Sequence, residues 1–139
     1  IVGGVEDADL AAGIAAAAPQ RVHSAAGQLG LRASTALIER AAVLVTNDSA
    51  PLHLATAART PIVAIFGPTV PEFGFGPLGD GDIVLGVEGL PCRPCSAHGP
   101  RTCPLGHHRC MRDLGVTGVL EAVRAITRGE ERSALRARD

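Results

Sequence analysis

The chain has 139 residues, the size of one domain. Hydrophobic residues make up 46%, enough to bury a core, and the formal net charge of -1 gives no basic footprint for nucleic acid. No run approaches the roughly 18 apolar residues of a membrane-spanning helix, and no signal-peptide pattern opens the chain. With three Phe and no Tyr or Trp, the apolar content is largely Ala and Val, which suits helices packed closely on a sheet. Every basic residue is Arg, which a GC-rich codon bias explains without invoking function.

In chain order, Ile1-Val2-Gly3-Gly4 opens as mature trypsin-like proteases do. No Gly-Asp-Ser-Gly surrounds a nucleophile, however, and the chain is too short for that fold. The segment reads instead as the tail of a strand ending in a glycine turn. A helix is expected from Glu6-Asp7, whose acids complement the helix dipole, to about Ala18, where Pro19 stops it. Arg21 to Ser24 is expected as a short strand. Ser34 to Ala42 is expected as a helix with Leu37, Ile38 and Ala41 on one face. Val43 to Thr46 reads as a buried strand, Ser49 to Ala58 as a helix, and Pro61 to Phe66 as the most strand-like run of all. Gly67 to Gly81 is a Gly/Pro-rich loop, Ile83 to Leu85 another strand, and Leu90 to Asp113 a cysteine-bearing loop. A last helix is expected over Val116 to Thr127, with Val119, Leu120, Val123 and Ile126 on one side. Residues 128–139 form a charged tail, frayed or helical.

Continuous apolar strands separated by helices predict an α/β fold, a doubly wound parallel sheet of Rossmann-like type covered on both faces. In such sheets ligands bind beyond the carboxyl ends of the strands. Two loops fall at that end, Asn47 to His53 and Gly67-Pro68-Thr69. Asp48 and Ser49 stand at a strand-to-helix turn, where the free N–H groups of a helix start make an anion site. Plainer readings stand beside this one. Asp48 and Ser49 are good helix N-caps, His53 fits a first-turn histidine bonded to a carbonyl, and Gly67-Pro68 fits a simple turn.

All four cysteines fall in one stretch, Cys92-x2-Cys95, then Cys103, then Cys110, with His98, His107 and His108 among them. Three readings are open: a structural zinc site of four thiolates, two disulfides, or four reduced thiols. In each, the cysteines would pin a long loop against the domain. Arg93, Arg101, Arg109 and Arg112 line it, either as a solvated basic loop or facing an anionic acceptor or membrane surface.

Asp48-Ser49-Ala50-Pro51-Leu52-His53 followed by Thr60-Pro61-Ile62-Val63-Ala64-Ile65-Phe66-Gly67-Pro68-Thr69 resembles the paired motifs of the family 9 glycosyltransferases, the bacterial heptosyltransferases of lipopolysaccharide core synthesis. Cys103-Pro104-Leu105-Gly106-His107-His108-Arg109-Cys110-Met111 is similar to the heptosyltransferase II branch of that family. The resemblance runs from Gly3 to Ile126. It implies a GT-B architecture of two Rossmann-like halves facing one cleft, with the donor sugar nucleotide held mostly by the second half. Residues 1–127 would be that carboxy-terminal donor-binding domain, without its first strand and helix, and the amino-terminal half would carry the acidic catalytic base. The fragment alone would bind donor weakly and transfer nothing.

Carried over residue by residue, the resemblance assigns Asp48 to hydroxyls of the donor sugar. The backbone N–H groups of Ser49, Ala50, Leu52 and His53 would meet the diphosphate; Pro51 has none to give. His53 would stabilise charge on the leaving diphosphate. Thr69, on the turn begun by Gly67, would bring a hydroxyl near the phosphates. Leu29 would line the adenine pocket, and Glu6 or Asp7 would approach the ribose. Ala50 stands where the family usually has Gly, and would cost roughly 1 kcal/mol and loosen the site if the position required positive φ or very close phosphate approach. The implied activity is inverting transfer of heptose from ADP-heptose to the lipopolysaccharide core, with no catalytic cofactor, at the cytoplasmic face of the inner membrane with peripheral membrane contact. Two rivals are a non-catalytic zinc-containing α/β module that binds a nucleotide or protein partner, and a related transferase using a different sugar nucleotide.

Overall fold

The computed structural model describes residues 1–136, with side chains through Gly129. The helices are α1 (Ala8–Ala17), α2 (Leu31–Glu39), α3 (Ala50–Ala58), α4 (Arg109–Arg112) and α5 (Val116–Arg136), and the strands are β1 (Leu44–Asn47), β2 (Ile62–Ile65) and β3 (Ile83–Leu85). The strands form one parallel sheet in the order β1-β2-β3. Leu44 lies opposite Ile62, and Val63 opposite Ile83.

Both faces of this sheet are covered, as its continuously apolar strands require. On one face Ile62, Ala64 and Phe66 pack with Ile38 of α2 and Leu52 and Ala55 of α3. On the other, Val63 meets Ala122 and Ile126 of α5, flanked by Val43, Ile83 and Leu85. The buried stripe of α5 therefore runs Val119, Ala122, Val123, Ile126, the i, i+3, i+4, i+7 spacing of a helix face. Leu120, expected on that side, is exposed, because that stripe is one residue narrower than an inclusive reading of the apolar positions. Leu37 is likewise exposed, and Ile38 carries the burial of α2.

Several boundaries differ from expectation. No strand forms at Arg21 to Ser24. The main chain there still pairs with the chain start: the Ile1 amino group donates to the His23 carbonyl at 2.6 Å, and Ala25 N–H and Gly27 N–H donate to the Ile1 and Gly3 carbonyls at 2.8 and 3.1 Å. Three bonds at the rim of the fold do not extend into a regular ladder. α2 starts at Leu31, where Gly30 takes the extended N-cap position and Ser34 N–H returns to the Gly30 carbonyl at 3.0 Å. The Gly/Pro loop holds a 3-10 turn at Pro71–Phe73, and the cysteine loop holds α4. α5 passes Thr127 without a break and continues to Arg136, so the expected tail is helical as far as it is described; residues 137–139 lie outside the described residues.

One side chain anchors the start of β2. Asp82 accepts Ile62 N–H at Oδ1 and Gly79 N–H at Oδ2, both at 2.8 Å. Asp82→Ala would leave the Ile62 donor unpaired at the start of the central strand, and is expected to cost about 1–3 kcal/mol. Urea denaturation of the two proteins checks this; superimposable transitions would show that water replaces the carboxylate at no cost.

Candidate functional site

β1 ends at Asn47 and the chain turns through Asp48 and Ser49 into α3. Pro51 at the helix start pre-sets φ and has no N–H to satisfy. Ser49 occupies the N-cap position in an extended conformation, yet its side chain makes no capping bond. Its hydroxyl instead donates to the Asn47 carbonyl at 3.1 Å and lies 3.2 Å from the Thr46 hydroxyl. The N-cap reading of Ser49 is therefore not what the structure shows. The N–H groups of Ser49 and Ala50 find no acceptor among the described residues. Leu52 is different: its N–H donates to the Ser49 carbonyl at 3.0 Å, and its side chain is buried in the core. The free donors at this helix start are thus fewer than sequence spacing suggests.

Ala50 lies within α3, and the non-glycine residues with positive φ are Arg59 and His108. Position 50 does not take positive φ, so no backbone strain follows from its alanine.

Thr69 follows β2 by four residues and is 2% exposed. Its hydroxyl donates to Asp48 Oδ2 at 2.7 Å. The two loops at the carboxyl ends of β1 and β2 are thereby joined through one short, charge-assisted bond. Asp48 keeps Oδ1 available as an acceptor. His53, one turn into α3, is exposed. Its ring meets the Phe75 ring edge-on at a centroid distance of 6.5 Å, and Phe75 meets His98 at 5.8 Å. Phe75 and His98 bring the Gly/Pro loop and the cysteine loop to the same place, which sequence spacing did not reveal. Two of the three Phe, Phe73 and Phe75, stand exposed in this Gly-rich loop, and that was the available signal.

A cavity of about 870 Å3 opens on the other side of the β1 turn. Glu6, Asp7, Leu29, Asn47, Ser49, Ala50 and Pro51 line it together with the apolar side chains of Val2, Leu10, Ala11, Ile14, Leu44 and Val45. The structure thus gathers the residues expected near a nucleoside, Glu6 and Leu29, with the helix start. Asp48, His53 and Thr69 are outside this lining.

The cysteine loop folds back on the Gly67-Pro68-Thr69 turn. Cys95 N–H donates to the Pro68 carbonyl at 2.8 Å, and the Cys95 thiol to the Cys92 carbonyl at 3.1 Å. Cys92 Sγ lies 3.9 Å from His107 Nε2. No disulfide joins the four cysteines, and no group of three metal-ligating side chains is arranged as a coordination site among the described residues. The thiols are not equivalent. Cys95 is raised above the ordinary thiol pKa, first by desolvation and then by the neighbouring Cys92, Cys110 and Cys103. Cys103 is lowered, chiefly by the His108 N–H and also by those of Leu105, His107 and Gly106, against a smaller opposing desolvation. The thiolate is the nucleophile. Cys103 is therefore expected to alkylate at lower pH and faster than Cys95 in chelator-treated protein, as peptide mapping after iodoacetamide would show. Faster labelling of Cys95 would contradict the arrangement of N–H groups around Cys103.

No helix of the described residues is long and apolar enough to cross a membrane. The family model for glycosyltransferase family 9 (heptosyltransferase) matches residues 1–106. A lipooligosaccharide heptosyltransferase 2 of Campylobacter jejuni is 38% identical over 86 residues, covering 61% of this chain and 26% of the relative. The lipooligosaccharide heptosyltransferase 2 of Haemophilus influenzae is 28% identical over 133 residues, covering 91% of this chain and 36% of its own length. The solved structure of E. coli ADP-heptose lps heptosyltransferase II superposes with a TM-score of 0.75 at 28% identity, over 94% of this chain and 36% of that one. This chain therefore spans roughly a quarter to a third of the length of these relatives. With the family model covering most of the chain and a solved heptosyltransferase superposing over nearly all of it, the chain belongs to glycosyltransferase family 9.

Proposed function

We propose that this chain is the donor-binding half of a GT-B glycosyltransferase that moves heptose from ADP-heptose to the lipopolysaccharide core by an inverting, metal-independent route. The observation that carries the reading is the Thr69–Asp48 bond across the two loops, beside a helix start whose first N–H groups are free. Asp48 Oδ1 would accept donor-sugar hydroxyls. The N–H groups of Ser49 and Ala50 and the positive end of α3 would hold the diphosphate. His53 would donate to the leaving diphosphate as its charge grows, while Leu29 and Glu6 in the cavity lining would receive the nucleoside. Deprotonation of the acceptor hydroxyl would fall to an acidic residue of an amino-terminal domain. The intact protein would work at the cytoplasmic face of the inner membrane, and residues 1–127 alone would not turn over.

The apolar part of the cavity supports a truncated domain. Leu44 directs its N–H to Pro61, so strand alternation turns the N–H and C=O of Val45 toward the cavity. Ile1 and Gly3 direct their carbonyls to Ala25 and Gly27, which turns those of Val2 toward it from the other side. Among the described residues these main-chain groups have no partner, and a single intervening parallel strand would satisfy both edges. Such a strand would come from a longer polypeptide.

The test is a titration of the full-length parent protein with ADP, followed by donor turnover, for the wild type and for Asp48→Ala and His53→Ala. ADP binding with turnover lost in the variants is expected. ADP binding absent from the wild type, or turnover unchanged in both variants, would remove the assignment.

A further inference from the structure

The turn that carries Thr69 is not held by its own strand. Its three successive carbonyls are all held by the cysteine loop. Arg93 Nε donates to the Gly67 carbonyl at 2.9 Å and also approaches that of Thr69 at 3.3 Å. Arg93 Nη2 donates to Thr69 at 3.2 Å, and Nη1 reaches the Val87 carbonyl at 3.0 Å. Between them, Cys95 N–H takes the Pro68 carbonyl at 2.8 Å. Arg93 is half-buried, and no carboxylate pairs with it among the described residues. A guanidinium spent wholly on main-chain carbonyls is an unusual use of a cation. Its planar fork suits it, since one side chain reaches three carbonyls from two elements at once.

The surroundings make room for this contact. A Cβ on Gly86 would sit 2.6 Å from Arg93 Nη2, so glycine there admits the guanidinium. A Cβ on Gly67 would sit 2.5 Å from Met111 Sδ, and one on Gly99 2.9 Å from Pro68 Cγ. The cysteine loop therefore closes on the turn from residues 93, 95, 99 and 111. The turn ends at the Thr69 hydroxyl, which orients Asp48.

We propose that Arg93 is a positioning residue for the donor site: its guanidinium fixes the Gly67-Pro68-Thr69 turn so that the Thr69 hydroxyl holds the Asp48 carboxylate in one orientation. Arg93 does not touch the substrate. It acts through Thr69, and the cysteine loop is the frame that delivers it. The inference rests on the donor-site reading above and goes one step beyond it. A lysine at 93 keeps the charge but offers a point ammonium in place of the fork, so it cannot hold both Gly67 and Thr69 in the same geometry.

The experiment is a double-mutant cycle in the full-length parent protein, with ADP-heptose as donor. Its four members are wild type, Arg93→Lys, Thr69→Val and the double variant, with melting followed in parallel. Arg93→Lys is expected to lower kcat/KM about tenfold in the wild-type background, as small misplacements of an orienting group do. Because Arg93 works through the Thr69 hydroxyl, the same change should have almost no effect once Thr69 is valine. A purely structural pin would cost the same in both backgrounds and would overturn the proposal, as would an Arg93→Lys protein of full activity. If Arg93→Lys fails to fold, Gly86→Ala replaces it in the cycle, since it crowds the guanidinium from behind without touching the site, and the same non-additivity is required of it. Failure of the underlying reading looks different: Thr69→Val alone would then leave kcat/KM unchanged.

Discussion

Replacing Asp48 by alanine in the intact protein is expected to lower kcat/KM for an ADP-sugar donor by about 100-fold or more, with ADP affinity unchanged or slightly tighter. Oδ2 is already occupied by the Thr69 hydroxyl at 2.7 Å, which fixes the rotamer. On the proposed reading, Oδ1 would then meet the sugar without reorganisation at the moment of binding. A charge-assisted hydrogen bond contributes about 1.5–3 kcal/mol, and each ~1.4 kcal/mol is tenfold, so two sugar hydroxyls held by one carboxylate account for the factor. ADP lacks the sugar and gains nothing from Asp48. It carries negative charge near that carboxylate, so removing the carboxylate relieves a repulsion. The opposite directions of the two effects are the diagnostic. Steady-state kinetics with the ADP-sugar and calorimetry with ADP measure them on one preparation. Turnover equal to that of the parent would take Asp48 out of the site, and loss of ADP affinity in step with turnover would mean that the turn had collapsed.

Phe66→Ala is expected to cost about 3–5 kcal/mol, a large share of the roughly 5–15 kcal/mol available to a domain. Phe66 is among the largest fully buried side chains, fills the face shared by α2 and α3, and its N–H donates to the Leu85 carbonyl at 2.8 Å. The close neighbours Leu52, Ala55 and Ala64 are all fully buried, and little there can relax into the space left by a ring. The cavity would lie next to Gly67, so the loss should also loosen the Gly67-Pro68-Thr69 turn. Denaturant midpoints for Phe66→Ala and for Val84→Ala, a half-exposed strand position that should move little, give the comparison. A Phe66→Ala midpoint close to that of Val84→Ala would show that the core is plastic.

Much of the arrangement was legible in the residues. The apolar runs Val43–Thr46 and Pro61–Phe66, with helix-forming residues between them, specify two parallel strands and a crossover, because strands buried on both faces must be apolar throughout. That placed Asp48 and Thr69 at one end of one sheet before any distance was known. Local rules worked less well where one pattern serves two structures. Arg21 to Ser24 has strand-like composition, but only the rim of the fold was there to pair with it. Leu120 has the right polarity for the buried face of α5, but the rotation of that helix on Val63 exposes it.

The sequence by itself determined the α/β class with its parallel strands, the family and the two loops that meet at the carboxyl end of the sheet, because periodicity and short motifs are properties of neighbouring residues. Tertiary structure decided which groups are free to act. It turned the Ser49 hydroxyl away from capping, occupied the Leu52 N–H, relieved Ala50 of any strain, and gathered Phe75 and His98 beside His53. It also brought Arg93 onto the carbonyls of Gly67 and Thr69, 26 and 24 residues away in the chain. Those are facts about hydrogen-bond partners distant in sequence, and no local pattern encodes which carbonyl a guanidinium will find.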